Sequence, residues 1–120
     1  MPQLTIPTSD GSVDLAYDLD RPSAGAEDVC VLYAHGFASK RRGEKADFFR
    51  RRFLDAGLAF CRFDFRGHGE SGGRLFDLSL TRNLVDMETM YRHLRCQGFE
   101  RVVLMGSSMG GGCAAWYALR

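Results

Sequence analysis

A Gly-Ser-Ser-Met-Gly motif at residues 106–110 contains the side chain of this sequence best suited to covalent chemistry. In the GxSxG pattern the central residue, here Ser108, lies on a sharp turn between a strand and a helix, and its hydroxyl is exposed as a nucleophile. The flanking sequence fits that turn, because the apolar run 102–105 precedes it and an Ala-rich stretch of good helix propensity follows it. We predict that Ser108 is a catalytic nucleophile. The alternative is a Gly/Ser-rich entry to a helix that has no catalytic role.

A second motif, His35-Gly36-Phe37, follows another apolar run at residues 29–34. A glycine at that point lets the chain turn tightly and leaves the backbone N–H of Phe37 free to point outward. If the two apolar strands are neighbours, the N–H groups of Phe37 and Met109 could converge on one oxygen atom. Two such donors form an oxyanion hole, which stabilises the tetrahedral intermediate of acyl transfer. The alternative is an ordinary tight turn after a strand.

A serine nucleophile needs a general base, and the sequence offers three histidines. His35 is predicted to lie on the oxyanion side of Ser108, opposite the face where a base must stand. His68 belongs to a Gly-rich turn and is predicted to be solvent-exposed. His93 lies between two arginines in a predicted helix and is interpreted as a surface residue. None of the three is predicted to be the base.

Two further patterns suggest phosphate binding, and in both a structural interpretation is favoured. Residues 67–72 satisfy GxGxxG after a strand, but the next predicted helix does not open at the third glycine, as a dinucleotide-binding loop requires. A basic cluster is interrupted by acidic residues and falls largely opposite an apolar stripe, so we interpret it as a solvated helix face. The cluster consists of Lys40, Arg41, Arg42, Lys45, Arg50, Arg51 and Arg52.

Hydrophobic periodicity predicts an α/β fold around these motifs. An opening hairpin is expected from strands at residues 3–6 and 13–17, joined by a turn at Ser9-Asp10-Gly11. Three apolar strands follow at residues 29–34, 58–64 and 101–105. Helices are predicted at residues 44–56, from Ser79 or Thr81 to Cys96, and beyond the glycines of the GxSxG motif. The alternation predicts three parallel strands flanked by helices, preceded by the antiparallel hairpin.

Composition excludes several classes of function. A net charge of +1 over 120 residues gives no global field to attract nucleic acid. The N-terminus lacks the features of a signal peptide, and no apolar run approaches the roughly 20 residues that span a bilayer, so we expect a cytoplasmic protein without a membrane span. The four cysteines show no CxxC spacing, and three lie in apolar segments, which favours buried reduced thiols over a disulfide or a metal site.

Three motifs, taken in order, resemble those of the α/β-hydrolase superfamily, and within it the serine aminopeptidase-like and esterase-like branch. They are Tyr-Ala-His-Gly-Phe at residues 33–37, Phe-Asp-Phe-Arg-Gly-His-Gly-Glu-Ser at 63–71 and Gly-Ser-Ser-Met-Gly-Gly at 106–111. The resemblance extends over nearly the whole chain. It covers only the N-terminal half of the family's domain, so the sequence is interpreted as a single truncated domain, residues 1–120, that ends just after the nucleophile turn.

The resemblance implies specific roles for residues of this chain. Ser108 would be the nucleophile, Phe37 and Met109 would supply the oxyanion hole through their backbone N–H groups, and residues 64–71 would shape the rim of the site without taking part in catalysis. It also implies that the strands ending at Ala34 and at residue 105 lie side by side. In this superfamily the acid and the histidine of the triad follow the nucleophile in the chain, and both are expected beyond residue 120.

The expected function is that of a serine hydrolase acting on an ester, thioester or amide through an acyl-serine, without a metal or organic cofactor. Its partner would be a small-molecule or peptide acyl substrate. Because the acid and the base are missing, we expect the 120-residue chain to be inactive. Two alternatives stay open: a noncatalytic binding or interaction protein built on the hydrolase fold, and a gene fragment with no function. Self-association through an unpaired edge of the sheet is also expected.

Overall fold

The computed structural model describes residues 4–25 and 27–119. One five-stranded sheet is formed by β1 (Leu4–Pro7), β2 (Asp14–Asp20), β3 (Val29–Ala34), β4 (Ala59–Phe63) and β5 (Arg101–Gly106). Its helices are α1 (Glu44–Asp55), α2 (Leu80–Cys96) and α3 (Met109–Ala118), with one turn of 3-10 helix at Leu75–Asp77. The predicted opening strand began at Gln3, which lies outside the described residues.

The strands are ordered β1-β2-β4-β3-β5. β1 pairs with β2 and β2 pairs with β4 in antiparallel fashion, whereas β3 lies parallel to both β4 and β5. This confirms the predicted class, an antiparallel hairpin followed by three parallel strands. The register places Ala34 beside Gly106, so the two apolar strands before the candidate motifs end next to each other, as expected.

The sheet is covered on both faces, as expected for β3 and β4, which are buried along their whole length and apolar except for Arg62. On one face Val31, Tyr33 and Phe60 pack against Phe49 and Phe53 of α1. On the other face the alternate strand positions form the larger cluster with α2 and α3. Its buried members include Cys30, Leu32, Ala34, Cys61, Phe63, Met87, Leu94 and Cys113. Successive side chains of a strand point to opposite faces of the sheet, and a helix presents one face about every 3.6 residues, so the apolar residues fall into these two clusters.

The helix boundaries follow the local signals in the sequence. The Ser79 side chain accepts a hydrogen bond from the Arg82 N–H (3.1 Å) and thereby caps the start of α2. Gly57, with φ of 85°, lies just after α1, and the Leu58 N–H donates to the Phe53 carbonyl (2.9 Å). This is the C-terminal cap that glycine favours, and it ends α1 where the sequence predicts.

The four cysteines are free thiols, and three of them are buried, namely Cys30, Cys61 and Cys113. Burial raises the pKa of Cys30 to about 12, so this thiol stays protonated and behaves as a small apolar side chain. The fourth, Cys96, is exposed at the end of α2, which departs from the expectation of buried thiols for this one residue.

β5 is an edge strand, and within the described residues its only pairing partner is β3. Val103 on this strand is 48% exposed. We expect the 120-residue chain to self-associate as its concentration rises, because an apolar strand with unpaired N–H and C=O groups pairs readily with another chain. A charge on that strand opposes pairing, so Val103→Lys should shift sedimentation velocity profiles toward the monomer.

The opposite edge of the sheet offers a matched control. Leu4 on β1 is exposed to a similar degree, 49%, so Leu4→Lys adds the same charge to the other edge. This variant should associate like the unmodified chain, because β1 is only four residues long and ends in proline, which makes it a poor edge for pairing. A chain that remains monomeric at every concentration, or equal effects of the two substitutions, would contradict the prediction.

Candidate active site

Ser108 occupies the turn between β5 and α3, and its backbone has φ of 55° and ψ of −116°. A positive φ is uncommon for a residue other than glycine and costs about 1–3 kcal/mol, so the surrounding structure must hold it in place. Two hydrogen bonds do so, from the Ser107 N–H to the Ala34 carbonyl (3.0 Å) and from the Gly110 N–H to the Ser107 carbonyl (3.0 Å). Ser108 is exposed and its side chain makes no capping hydrogen bond, so the hydroxyl is open to a reactant.

Both glycines of the GxSxG motif lie where no side chain fits. A Cβ added to Gly106 would overlap the backbone of Gly110, and a Cβ added to Gly110 would overlap the carbonyl of Ala34. The end of β5, the first turn of α3 and the end of β3 are therefore in direct backbone contact. This close approach places the turn that carries Ser108 next to the end of β3.

The segment after β3, residues 35–39, is called here the β3 turn. It is closed by a hydrogen bond from the Ser39 N–H to the Gly36 carbonyl (3.1 Å), and Ala38 has φ of 58°. A Cβ on Gly36 would lie 3.4 Å from the Ser108 Cβ and 4.0 Å from its Oγ, so the β3 turn runs alongside Ser108. Within residues 4–25 and 27–119, the N–H groups of Phe37 and Met109 donate no hydrogen bond.

His35 is 1% exposed, and both of its ring nitrogens are engaged. Nδ1 lies 2.6 Å from the Gly36 carbonyl oxygen, and Nε2 accepts a hydrogen bond from the Phe65 N–H (3.0 Å). Burial lowers the pKa of His35, and the hydrogen bond to Gly36 opposes this only in part. The ring is therefore neutral near pH 7 and has no free nitrogen with which to take a proton from Ser108.

His68 is buried, contrary to the predicted solvent exposure. It is 4% exposed, its Nε2 accepts a hydrogen bond from the Ala38 N–H (3.0 Å), and its Nδ1 lies 3.0 Å from the Arg66 carbonyl oxygen. The prediction failed because the segment after β4, residues 64–74 and here called the β4 loop, folds back against the β3 turn. His93 is likewise no simple surface residue, since its Nε2 lies 2.9 Å from the Tyr17 hydroxyl.

Arg41 also departs from the prediction of a solvated basic face. It is 2% exposed and its guanidinium pairs with Asp64, Asp18 (3.2 Å) and Glu70 (3.0 Å). The three carboxylates come from β2 and the β4 loop, so the pairing depends on long-range folding. Arg42, the next residue, fits the prediction better, because its side chain is 57% exposed and pairs with Asp18 at the surface.

One more member of the basic cluster reaches the turn between β5 and α3 that carries Ser108, called here the elbow. Lys45, in the first turn of α1, donates a hydrogen bond from Nζ to the Ser107 Oγ (3.0 Å). This contact places a cation one residue from Ser108. Sequence spacing gave no sign of it, since 62 positions separate the two partners.

The β4 loop does not have the form of a dinucleotide-binding loop. Gly67 has φ of 77°, and a Cβ there would overlap the Arg74 carbonyl, so the loop closes on itself. The chain then enters the short 3-10 helix, and α2 begins only at Leu80. The next α-helix therefore does not open at the third glycine, which supports the interpretation made from the sequence.

A cavity of about 420 Å³ lies beside the first turn of α3. It is predominantly apolar and is bounded by α2 and α3, with lining residues Leu78, Leu80, Asn83, Met109, Cys113 and Trp116 among others. Met109, which lines this cavity, directly follows Ser108 in the chain.

In the part of the chain that the structure describes, no helix is long and apolar enough to cross a bilayer. The same residues contain no group of three or more His, Cys, Asp or Glu side chains arranged to hold a metal ion.

Comparison with known proteins places the chain in a family. The model of the family described as serine aminopeptidase, S33, matches residues 25–120. A monoacylglycerol lipase of Mycolicibacterium smegmatis is 35% identical over 113 residues, which are 92% of this chain and 39% of the lipase. Thus the chain spans well under half the length of this relative.

Solved structures agree with the family assignment. An esterase of Pyrococcus furiosus superposes with a TM-score of 0.82 at 25% identity and covers 98% of this chain and 45% of its own. The alpha/beta hydrolase domain-containing protein 10 of mouse gives a TM-score of 0.81 at 25% identity, covering 99% and 44%. The chain belongs to the serine aminopeptidase S33 family and has the N-terminal part of an α/β-hydrolase fold.

Proposed function

We propose that this chain carries the nucleophile and the oxyanion hole of a serine hydrolase that acts on an ester, thioester or amide. Ser108 is the proposed nucleophile, and the backbone N–H groups of Phe37 and Met109 are the proposed oxyanion donors. The single observation that carries the proposal is the elbow itself, an exposed serine at positive φ that lies directly beside the β3 turn. An ordinary surface serine needs no such backbone conformation.

In the proposed reaction the Ser108 Oγ attacks the acyl carbon while its proton passes to a general base. The acyl oxygen becomes an anion and accepts hydrogen bonds from Phe37 and Met109, whose N–H groups have no other acceptor within the described residues. Collapse of this intermediate breaks the bond to the leaving group, which takes the proton back from the base. Attack by water on the acyl-serine then releases the acid and restores Ser108.

The general base is the missing component of this proposal. His35 and His68 each use both ring nitrogens in hydrogen bonds, and His93 is engaged with Tyr17. In this superfamily the acid and the histidine follow the nucleophile. We therefore expect the 120-residue chain to have a correctly shaped but weakly reactive serine, whose reactivity depends on an added base.

The substrate would be a small molecule or peptide with an apolar part. This is supported by the apolar cavity that shares Met109 with the elbow, and by similarity to a monoacylglycerol lipase and to an esterase. Apolar cavities beside a reactive group bind aliphatic or aromatic portions of substrates and leave the polar bond at the nucleophile. We also propose a cytoplasmic location, which accords with the free thiols of this chain.

Fluorophosphonate labelling tests the proposal on the chain itself. Ser108 Oγ would displace fluoride from phosphorus, forming a P–O bond while its proton passes to the base. We expect slow labelling in buffer and labelling about tenfold faster with added imidazole, since a positioned general base contributes about 10²–10⁴-fold and a diffusing one contributes less. Intact-protein mass spectrometry gives the rate, and peptide mapping gives the position.

Two serine variants provide the controls. Ser108→Ala should abolish labelling, whereas Ser107→Ala removes the adjacent hydroxyl and should leave the modification on Ser108. Labelling that persists in Ser108→Ala, or that does not respond to imidazole, would overturn the proposed mechanism. Complete absence of labelling with imidazole present would favour a noncatalytic binding protein.

A further inference from the structure

The β3 turn and the β4 loop are joined by two histidines in a reciprocal arrangement. His35, in the β3 turn, accepts the Phe65 N–H from the β4 loop at 3.0 Å. His68, in the β4 loop, accepts the Ala38 N–H from the β3 turn, also at 3.0 Å. Each segment therefore donates a backbone N–H to the imidazole that the other segment supplies.

The remaining ring nitrogens fix the tautomers. Nδ1 of His35 faces the Gly36 carbonyl and Nδ1 of His68 faces the Arg66 carbonyl, at 2.6 and 3.0 Å. A carbonyl oxygen only accepts hydrogen bonds, so each Nδ1 must carry the proton and each Nε2 must present its lone pair. Both rings are then neutral, in agreement with their burial and with the separation of 4.9 Å between their centroids.

The amide that His68 receives belongs to the strained residue of the β3 turn. Ala38 has φ of 58°, a conformation that glycine or asparagine adopts more readily than alanine. The β3 turn is also closed by the Ser39 N–H to Gly36 carbonyl hydrogen bond. A turn with alanine at this position needs an external contact to stay in place, and the hydrogen bond to His68 is such a contact.

Phe37 lies in the chain between His35 and Ala38, the residue whose N–H His68 accepts. The Phe37 N–H lies one peptide unit before the Ala38 N–H that His68 accepts. It lies two residues after His35, whose ring accepts the Phe65 N–H. A change in the Ala38 backbone would reorient the neighbouring peptide and with it the proposed oxyanion donor. Donor position matters because an oxyanion hole acts only when its N–H groups lie about 2.7–3.1 Å from the developing anion.

We propose that His68 is a positioning residue, which holds the strained β3 turn by accepting the Ala38 N–H and so keeps the Phe37 N–H directed toward Ser108. This inference rests on the proposed function of Ser108 and Phe37. It assigns His68 a role in oxyanion stabilisation without contact with the substrate. A histidine that merely filled space would need neither the fixed tautomer nor the reciprocal arrangement with His35.

Two substitutions of His68 distinguish the effect of losing the hydrogen-bond acceptor from the effect of changing the side-chain volume. His68→Leu keeps much of the bulk and removes the acceptor, whereas His68→Gln offers an amide oxygen near the position of Nε2. We expect hydrogen exchange at the Ala38 amide to rise about tenfold or more in His68→Leu and to remain near the unmodified rate in His68→Gln. NMR of amide exchange, residue by residue, measures this without any need for catalysis.

The labelling rate provides the second measurement. In the presence of imidazole, phosphonylation of Ser108 should slow by about tenfold to a hundredfold in His68→Leu, as expected when one oxyanion donor is misplaced. His68→Gln should recover most of that loss. The matched pair His93→Leu and His93→Gln changes a histidine of α2 that contacts Tyr17 of β2, and both variants should leave the rate unaltered.

The outcomes decide the two proposals separately. Equal slowing by His68→Leu and His68→Gln, or an Ala38 amide that exchanges no faster in His68→Leu, would overturn the positioning role of His68. Failure of the unmodified chain to label at Ser108 would overturn the proposed function instead. In that case the exchange rates would still decide whether His68 holds the β3 turn.

Discussion

We expect Gly110→Ala to lower the free energy of unfolding by about 3 kcal/mol and to abolish labelling at Ser108. The added Cβ would overlap the Ala34 carbonyl, which belongs to a strand that is buried and paired on both sides. Helix propensity acts in the opposite direction, since alanine is favoured over glycine by about 1 kcal/mol inside a helix. The overlap prevails because a backbone carbonyl in a sheet cannot rotate away, so α3 must move off β3 and carry the elbow with it.

Gly112→Ala is the matched control for this substitution. Gly112 lies in the same helix, two residues further on, and a Cβ there has no neighbour within 4 Å. For this variant only the higher helix propensity of alanine remains, so the free energy of unfolding should rise by up to about 1 kcal/mol. Urea denaturation followed by circular dichroism measures both variants. Equal stability of the two variants would show that the close approach of α3 and β3 is not required.

The elbow is the part of the site that could be predicted best, because its signals are local. Ser108, its flanking glycines, the strand before it and the helix after it lie within one short stretch of sequence. The pairing of β3 with β5 was not local, and it was predicted from the family resemblance. The sheet confirms it in the register of Ala34 with Gly106.

The contact between the β3 turn and the β4 loop could not be predicted, because it depends on partners that are distant in the sequence. His68 is separated from Ala38 by 30 positions, and a Gly-rich sequence around a histidine is equally typical of an exposed turn. The positive φ of Ala38 has no marker either, since alanine is not a residue associated with that conformation. Such features become visible only once the β3 turn and the β4 loop are known to be adjacent.

Arg41→Met is expected to destabilise the protein by about 3–5 kcal/mol. The substitution removes the guanidinium that pairs with Asp64, whose side chain is completely buried, while the methionine keeps much of the volume. Asp64 would still accept the N–H groups of residue 41 (2.6 Å) and Glu70 (2.9 Å), but its charge would have no cation in contact. A buried charge without its partner costs far more than the intact pair contributes. Chemical denaturation at neutral pH measures the loss.

Arg42→Met, and Arg41→Met combined with Asp64→Asn, are the controls that test whether the buried charge causes the loss of stability. Arg42 is the adjacent arginine, but its pairing with Asp18 is at the surface, where an ion pair contributes about 0–1 kcal/mol. Its loss should therefore be small. In Arg41→Met combined with Asp64→Asn the buried charge is absent, so more than half of the lost stability should return. If Arg41→Met proves no more harmful than Arg42→Met, or if Asp64→Asn restores nothing, then volume and packing rather than charge compensation explain the burial of Arg41. Recovery in the double variant would instead establish that Arg41 joins the β4 loop to β2 through electrostatic compensation.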